Sequence, residues 1–271
     1  MAVVTEIDRR SALRAGAGAA LAGAFAAGCT ESEPAQHAAA RPASAPPAPA
    51  KQPQPAAQTP RPAATPRAFP GQPEQIEHGP RDRPRVALTF HGQGDPAVAK
   101  AVLAEAERAG ARVTVLAVGT WLDEQPQMAR RILDGGHDLG NHTLHHTSIS
   151  AMSEQEAYAE ITGCADRLRR LTGSIGTWFR PSRTQYATPL VQKLARRAGY
   201  PHVLSYDVDS LDYTSPGATA VTRNVADRVG NGSVISLHFG YQDTVAALPA
   251  LLDTLARRGL HAVTTTELLA S

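Results

Sequence analysis

The stretch at residues 85–95 reads RVALTFHGQGD, and it guides the interpretation of the chain that follows. Residues 86–90 form a short apolar run typical of a buried strand, and the run ends on a polar side chain, His91. A glycine-containing turn comes next, and residues 95–109 have the periodicity of a helix. A strand joined to a helix by a short turn is the repeating unit of parallel α/β folds.

The same unit recurs along the rest of the chain. Six more strand-like runs end near residues 118, 141, 180, 206, 237 and 263, and most are followed by a helical pattern. One of these patterns predicts a single helix at residues 120–134. No Gly-x-Gly-x-x-Gly turn follows the first strand, which argues against a dinucleotide-binding sheet. About seven β/α units therefore predict a distorted (β/α) barrel.

Polar side chains stand at the ends of several predicted strands. In a (β/α) barrel, the carboxyl ends of the strands meet at one face, where the functional sites of such folds are built. The side chains expected at that face are those of His91, His142, Arg180, Asp207, Asp209, Asp212 and His238. Their convergence predicts a site at this mouth of the barrel.

Two of these histidines have the spacing of metal ligands. His142 and His146 stand four residues apart in the segment NHTLHH, residues 141–146, and such a pair can present two imidazoles to one ion. The zinc-peptidase pattern needs a glutamate directly after the first histidine, and Thr143 occupies that position here. Thr143 argues against that peptidase class, and taken alone the histidine pair is equally compatible with a polar turn.

The first 29 residues have the features of an export signal. Arg9 and Arg10 precede a short run rich in alanine and glycine, and small residues lead up to Cys29. The twin arginines are typical of the pathway for folded proteins. The ending resembles a bacterial lipobox, so Cys29 is the expected lipidation site. We therefore predict an exported, extracytoplasmic protein that is attached to the outer face of the membrane through this lipid.

The next segment separates this signal from the folded region. Residues 30–83 contain 13 of the chain's 21 prolines, and this composition predicts a disordered Pro/Ala-rich linker. Residues 84–271 are then expected to form one domain. The net charge is +2 and no run of Lys or Arg is present, so we expect no nucleic-acid partner, and nothing in the sequence predicts a protein partner.

The domain resembles the polysaccharide deacetylases of the NodB-homology type, carbohydrate esterase family four. Five motifs in the family's order carry the resemblance, at residues 89–93, 142–146, 180–183, 209–213 and 236–238: TFHGQ, HTLHH, RPSR, DSLDY and SLH. The third motif departs from the family pattern Arg-x-Pro-Tyr after its arginine, at Ser182 and Arg183. The resemblance implies a metal-dependent hydrolase with a NodB-like barrel.

The resemblance also implies a role for each matched residue. His142 and His146 would hold one divalent metal, usually zinc. His238 would protonate the departing amine, with Asp212 orienting its imidazole. Arg180 would orient the catalytic base. Tyr213 and Leu237 would form the wall of the acetyl pocket.

The first motif departs from the family at the two positions where the family has functional carboxylates. The family has a base aspartate and a metal-binding aspartate where this chain has His91 and Gly92. Three interpretations remain open. His91 is the third metal ligand, with Asp95 or water as base. His91 is instead the base, and Asp95 completes the metal site. In the third, the metal site is lost and the domain only binds glycans.

These observations predict a hydrolase that removes N-acetyl groups from a cell-envelope polysaccharide by cleaving a carbon–nitrogen bond other than a peptide bond. One alternative is a catalytically inactive glycan-binding module on the same fold. The other is a metal hydrolase of another linear amide, because an altered first motif is compatible with a changed substrate.

Overall fold

The computed structural model describes residues 64–270 of the chain. The predicted export signal, Cys29 and the greater part of the predicted linker lie outside the described residues. None of the helices within the described residues is long and apolar enough to span a membrane.

Parallel strands form the centre of the domain. Its eight strands are β1 (Gln75–Ile76), β2 (Arg85–Gly92), β3 (Thr114–Ala117), β4 (Asp138–Asn141), β5 (Val203–Leu204), β6 (Val208–Asp209), β7 (Val234–His238) and β8 (His261–Val263). The main sheet has the order β4-β3-β2-β7-β6, and β8 pairs with the first half of β2. Because β2 lies in the middle of this sheet, its carboxyl end, which carries the first motif, lies between β3 and β7.

The remaining strands extend this sheet toward a barrel. Asn141 at the end of β4 forms a parallel bridge with Phe179, and Phe179 forms another with Val203 of β5. β5 in turn pairs with β1. The strands curve round a common interior without forming a closed hydrogen-bonded ring among the described residues. The predicted α/β fold with a barrel-like parallel sheet is confirmed.

Helices cover the outside of the sheet. They are α1 (Pro96–Arg108), α2 (Gly119–Glu124), α3 (Gln127–Asp134), α4 (Glu154–Thr172), α5 (Pro189–Arg197), α6 (Ala218–Ala226), α7 (Gln242–Arg257) and α8 (Thr265–Leu269). The single helix predicted at residues 120–134 is wrong, since α2 ends at Glu124 and α3 begins after Pro126. Proline lacks an N–H and disfavours helical geometry in the residue before it, so the helix breaks at this point.

Alternation along β2 and β7 separates the core from the site. Leu88 and Phe90 of β2 are fully buried in the main hydrophobic cluster, between the sheet and its helices. The intervening side chains, Thr89 and His91, point to the opposite face, into the interior of the barrel. In β7, Leu237 is in the hydrophobic cluster, whereas His238 lines the pocket.

The chain is folded onto the domain before the predicted boundary at residue 84. Phe69 is buried and stacks on Trp178, with ring centroids 5.3 Å apart. Ile76 of β1 is fully buried. The predicted linker therefore ends earlier than residue 83. Its proline-rich composition suggested disorder, although its last part contains apolar residues that pack against the domain.

Candidate active site

Three imidazoles converge at the carboxyl ends of the central strands. His91, His142 and His146 each offer a ring nitrogen, and these atoms all lie within 4.8 Å of one another. β2 places His91, whereas His142 directly follows β4 and is held by the bond from its backbone N–H to the carbonyl of Ala117, 2.9 Å long. The described residues therefore contain a cluster that could hold a metal ion.

His142 shows which of its nitrogens is available. Its Nδ1 lies 3.0 Å from the backbone carbonyl of Arg180, which can only accept a hydrogen bond, so Nδ1 carries the proton. Nε2 is then an unprotonated acceptor. It is buried and has no hydrogen-bond partner among the described residues. Buried polar atoms without a partner are rare in proteins, and a lone pair in this state suits a metal ligand.

The surroundings of all three rings disfavour their protonated forms. Burial first, and then the neighbouring charged forms of His142 and His238, lower the pKa of His91 well below its usual value. Burial and the proximity of His146 do the same for the pKa of His142. Burial and the charge of Arg183 lower the pKa of His146 to about 4. Neutral imidazole is the form that binds metals.

The loop from His142 to His146 is held in a strained conformation. Thr143 and His146 have positive φ angles of 68° and 56°, which are unfavourable for residues other than glycine. Asn141 Oδ1 accepts a hydrogen bond from the N–H of Thr143, 2.8 Å away. The carboxylate of Glu160 on α4 accepts the N–H groups of Leu144 and His145, at 3.0 and 2.9 Å. These bonds hold the loop in the shape that brings His142 and His146 together with His91.

A second pair of groups lies beside the imidazole cluster. His238 Nδ1 is 2.7 Å from Asp212 Oδ1, and its ring lies 4.2 Å from that of His91. Asp212 is fully buried, and its Oδ2 accepts from the backbone N–H of His238 and the hydroxyl of Thr244. Since a carboxylate accepts the Nδ1 proton, the Nε2 atom of His238 remains available to exchange a proton with a ligand.

Arg180 is a buried cation behind His91. Its guanidinium donates to the carbonyls of Leu204 and Ser205 and to the hydroxyl of Thr89. Nη1 is 3.3 Å from Nε2 of His91. Burial lowers the pKa of Arg180 to about 10, which leaves it charged at neutral pH. Its hydrogen-bond acceptors are all neutral groups, and within residues 64–270 the ring of Tyr206 and the more distant carboxylate of Asp209 act on its charge.

These groups open into one pocket. It has a volume of about 480 Å³ and is lined by His91, His146, Arg183, Thr184, Gln185, Tyr206, Asp209, Tyr213, Ser236, His238 and Tyr241. Tyr213 is 45% exposed, and its ring packs edge-on against His238. The pocket is thus polar at its floor and aromatic at its rim, which is an arrangement suited to a sugar.

Comparison with known proteins identifies the family. The polysaccharide deacetylase model matches residues 78–203. A peptidoglycan-N-acetylglucosamine deacetylase of Bacillus cereus is 30% identical over 194 residues, which are 70% of this chain and 90% of that protein. The chain belongs to the polysaccharide deacetylase family. Like the other members of that family, it is a hydrolase that acts on carbon–nitrogen bonds other than peptide bonds.

Other polysaccharide deacetylases agree with this assignment. The enzyme PgdA of Listeria monocytogenes is 28% identical over 184 residues, which are 68% of this chain but only 38% of that longer protein. A solved peptidoglycan N-acetylglucosamine deacetylase covers 71% of this chain and 91% of its own, with 26% identity and a TM-score of 0.66. A pseudoenzyme of carbohydrate esterase family four from Bacillus anthracis has the same fold, with a TM-score of 0.69, 22% identity and coverage of 73% and 70%.

Three residues expected in the deacetylase site lie elsewhere. Asp207 does not line the pocket, because its carboxylate pairs with Arg81 and accepts the N–H of Val234 at the start of β7. Asp95 is exposed and caps α1, where its carboxylate accepts the N–H of Ala97 at 2.8 Å, so it is neither in the imidazole cluster nor in the pocket. Its position one residue before a proline at the helix start is a capping signal. Leu237 is buried in the core and does not line the pocket, because alternation in β7 directs it away from His238.

Several pocket residues were not singled out from the sequence. Arg183, Thr184, Gln185, Tyr206 and Tyr241 belong to loops, which have no periodicity that would reveal their direction. Asp209 was expected only as a residue at a strand end, and it is the carboxylate that lines the pocket within the described residues. No local signal pointed to Glu160, because its partners Leu144 and His145 lie 16 and 15 residues away in the chain.

Proposed function

We propose that this domain is a deacetylase that uses one divalent metal to remove N-acetyl groups from a cell-envelope polysaccharide. The observation that carries the proposal is the buried, unpaired Nε2 of His142, which converges with His91 and His146 beside the His238–Asp212 pair. The named deacetylase relatives act on N-acetylglucosamine of peptidoglycan, and this supports an N-acetylated envelope glycan as the substrate here.

The three imidazoles fit a metal without any carboxylate. A site with three histidines and an open position is a known catalytic zinc arrangement, and we propose zinc as the ion. His91 then takes the position of third ligand. The position of its ring nitrogen, within 4.8 Å of those of His142 and His146, supports this role over that of base. An ion bound there would supply Lewis acidity toward the acetamide carbonyl.

The chain's own groups would handle the proton and the substrate. Asp212 holds the Nδ1 proton of His238, so the imidazolium form can release a proton from Nε2 to the departing amine. Arg180 lies behind His91, where its bonds to Leu204, Ser205 and Thr89 hold the guanidinium against that ring. The exposed ring of Tyr213 offers an apolar surface to the acetyl group and the sugar.

Metal content provides the direct test of this site. The purified protein, prepared without chelator, is compared with the variants His91→Ala and His261→Ala, the latter an exposed histidine outside the pocket. We expect about one transition metal per chain in the parent and in His261→Ala, and loss of metal and of deacetylation in His91→Ala. Metal retained in His91→Ala would show that His91 is not a ligand.

The first motif favours a second candidate, an inactive glycan-binding module. Neither family carboxylate is present, and a pseudoenzyme shares the fold. In that case the parent would bind N-acetylated oligosaccharides without turning them over, and would take up no zinc when excess zinc is added. Replacement of Tyr213 by alanine would then weaken binding, whereas His142→Ala would not.

We also propose export and lipid attachment at Cys29, based on the signal-like sequence of residues 1–29. In cells labelled with a fatty-acid analogue, the full chain is expected to carry the label and to be found with membranes. The Cys29→Ser variant is expected to lose both. Recovery of the unaltered chain in the soluble cytoplasmic fraction would contradict this proposal.

A further inference from the structure

Arg183 is a departure from the family pattern that lies inside the pocket. It stands where the third motif of the family has its tyrosine, and its side chain lines the cavity together with His146 and Thr184. Its φ angle is +56°, a costly conformation for arginine. Its Nε donates to the carbonyl of His146 at 2.9 Å. The guanidinium is thus anchored at one end, next to the imidazole cluster.

The other end of this guanidinium is free to receive a ligand. Arg183 is exposed, and in the described part of the chain neither Nη atom has a hydrogen-bond or ion-pair partner. Asp209, the carboxylate that lines the same pocket, does not form an ion pair with it. One oxygen of Asp209 accepts the N–H of Leu211, and its charge acts on Arg180, Tyr206 and Tyr213 instead.

The charges of the pocket favour an anion at this position. Asp212 is already bound to His238 and Thr244, and Arg180 is buried behind His91. Arg183 is therefore the pocket cation that a substrate can reach. Two Nη groups in a planar fork match the two oxygens of a carboxylate, and arginine is the residue that recognises this group with directional bonds.

We propose that Arg183 selects an acidic glycan: an N-acetylated oligosaccharide that carries a carboxylate near the acetamide placed in the pocket. The inference rests on the proposed deacetylase function and narrows its substrate. A neutral N-acetylglucosamine chain would leave the Nη groups of Arg183 without a partner. A sugar that bears a carboxylic acid substituent would pair with them.

The test uses two substrates that differ in this charge and otherwise only by the methyl group of each ester. They are a tetrasaccharide of alternating N-acetylglucosamine and N-acetylmuramic acid with free carboxylates, and the same tetrasaccharide as its methyl ester. Deacetylation of both is measured as kcat/KM for the parent and for Arg183→Gln, Arg183→Lys and Arg228→Gln. Arg228 is an exposed arginine outside the pocket and serves as the control.

We expect the parent and Arg228→Gln to prefer the acid over the ester by roughly 10- to 100-fold, the usual range for a charge-assisted hydrogen bond. Arg183→Gln should lose the preference because its activity falls much further on the acid than on the ester, and Arg183→Lys should keep part of the preference. Equal kcat/KM values for acid and ester in the parent would overturn the proposal. So would equal losses on both substrates in Arg183→Gln. Equal losses would point instead to the bond with His146.

Failure of the deacetylase function would be visible separately. If the parent turns over neither tetrasaccharide, the proposed reaction is wrong, and the dissociation constants of the two compounds then decide the question for Arg183. Tighter binding of the acid by the parent, absent in Arg183→Gln, would support recognition of the carboxylate. Equal binding of acid and ester by the parent would overturn it.

Discussion

Gly92 lies at the end of β2, where the neighbouring strand leaves no room for a side chain. A Cβ atom at this position would lie 2.9 Å from Cγ1 of Val115 and 3.0 Å from Cα of Ala117. The latter is a backbone atom and cannot move independently of β3. A side chain at residue 92 would therefore press against the backbone of β3.

Restoring the carboxylate should destabilise the protein. For Gly92→Asp, and equally for Gly92→Ala, we expect a loss of about 1–3 kcal/mol in unfolding free energy from overpacking. Thermal unfolding measures this loss. Gly230→Asp is the matched control, because a Cβ at Gly230 meets no atom within 4 Å. A Gly92→Asp variant as stable as the parent, with raised metal affinity, would show that the strands separate easily.

Asp212 determines which nitrogen of His238 carries the proton. In Asp212→Asn the side-chain amide can offer an N–H to Nδ1, so the imidazole is no longer held in the form that donates from Nε2. We expect kcat for deacetylation to fall by roughly 10²–10⁴-fold, the usual contribution of general acid–base catalysis, with a small change in KM. The exposed Asp227→Asn should behave as the parent. Unchanged kcat in Asp212→Asn would remove His238 as the acid.

At the scale of elements, helix α4 supports the loop of metal-ligand candidates. Glu160 belongs to α4, and its two oxygens accept three bonds from Leu144 and His145. The helix N-terminus of α2 adds two more, since the N–H groups of Gly119 and Thr120 donate to the carbonyls of Thr143 and Leu144. Two packed helices therefore hold a loop whose backbone is strained.

Removing the helical support should weaken metal binding. We expect Glu160→Ala to reduce zinc affinity by about 10- to 100-fold, as loss of an outer hydrogen-bonding partner usually does. Glu160→Gln should fall between this variant and the parent, because one amide oxygen can still accept. Competition with a chelating dye measures the affinity. Glu154→Ala, at the exposed start of α4, is the control. Parental affinity in Glu160→Ala would show that the loop holds its shape unaided.

For the whole molecule, the segment before β2 acts as part of the domain. Phe69 stacks on Trp178, which is distant from it in the chain. Its backbone N–H donates to Nε2 of His202, 2.9 Å away. β1 pairs with β5, and His78 forms an antiparallel bridge with Ser233. These contacts join the start of the domain to its second half.

Cutting the chain at the predicted boundary should destabilise it. We expect Phe69→Ala to lose about 3 kcal/mol, which corresponds to a fall of roughly 6–12 °C in Tm for a domain of this size. A chain that begins at residue 84 should lose more than one that begins at residue 64. Tyr186→Ala removes an exposed aromatic ring and should change Tm little. Equal Tm values for the two shortened chains would show that the stable domain begins at residue 84, as the sequence predicted.

Local patterns were enough to predict the elements and the face that carries the site. Short apolar strands that alternate with helices specify a parallel α/β fold. Each of these patterns can be recognised from neighbouring residues, without knowing which elements it packs against. The polar residue after a strand must then lie at the carboxyl edge of the sheet. His91, His142, Arg180 and His238 could be expected there for this reason, and the structure brings them together.

The sequence by itself determined the fold class, the order of the motifs and the ends of the strands, because these depend on residues that are near in the chain. Only the tertiary structure decided the contacts between distant residues: Glu160 with the loop of His142, Arg183 with His146, and Phe69 with Trp178. Such contacts depend on how packed elements meet in space, and no local pattern records that.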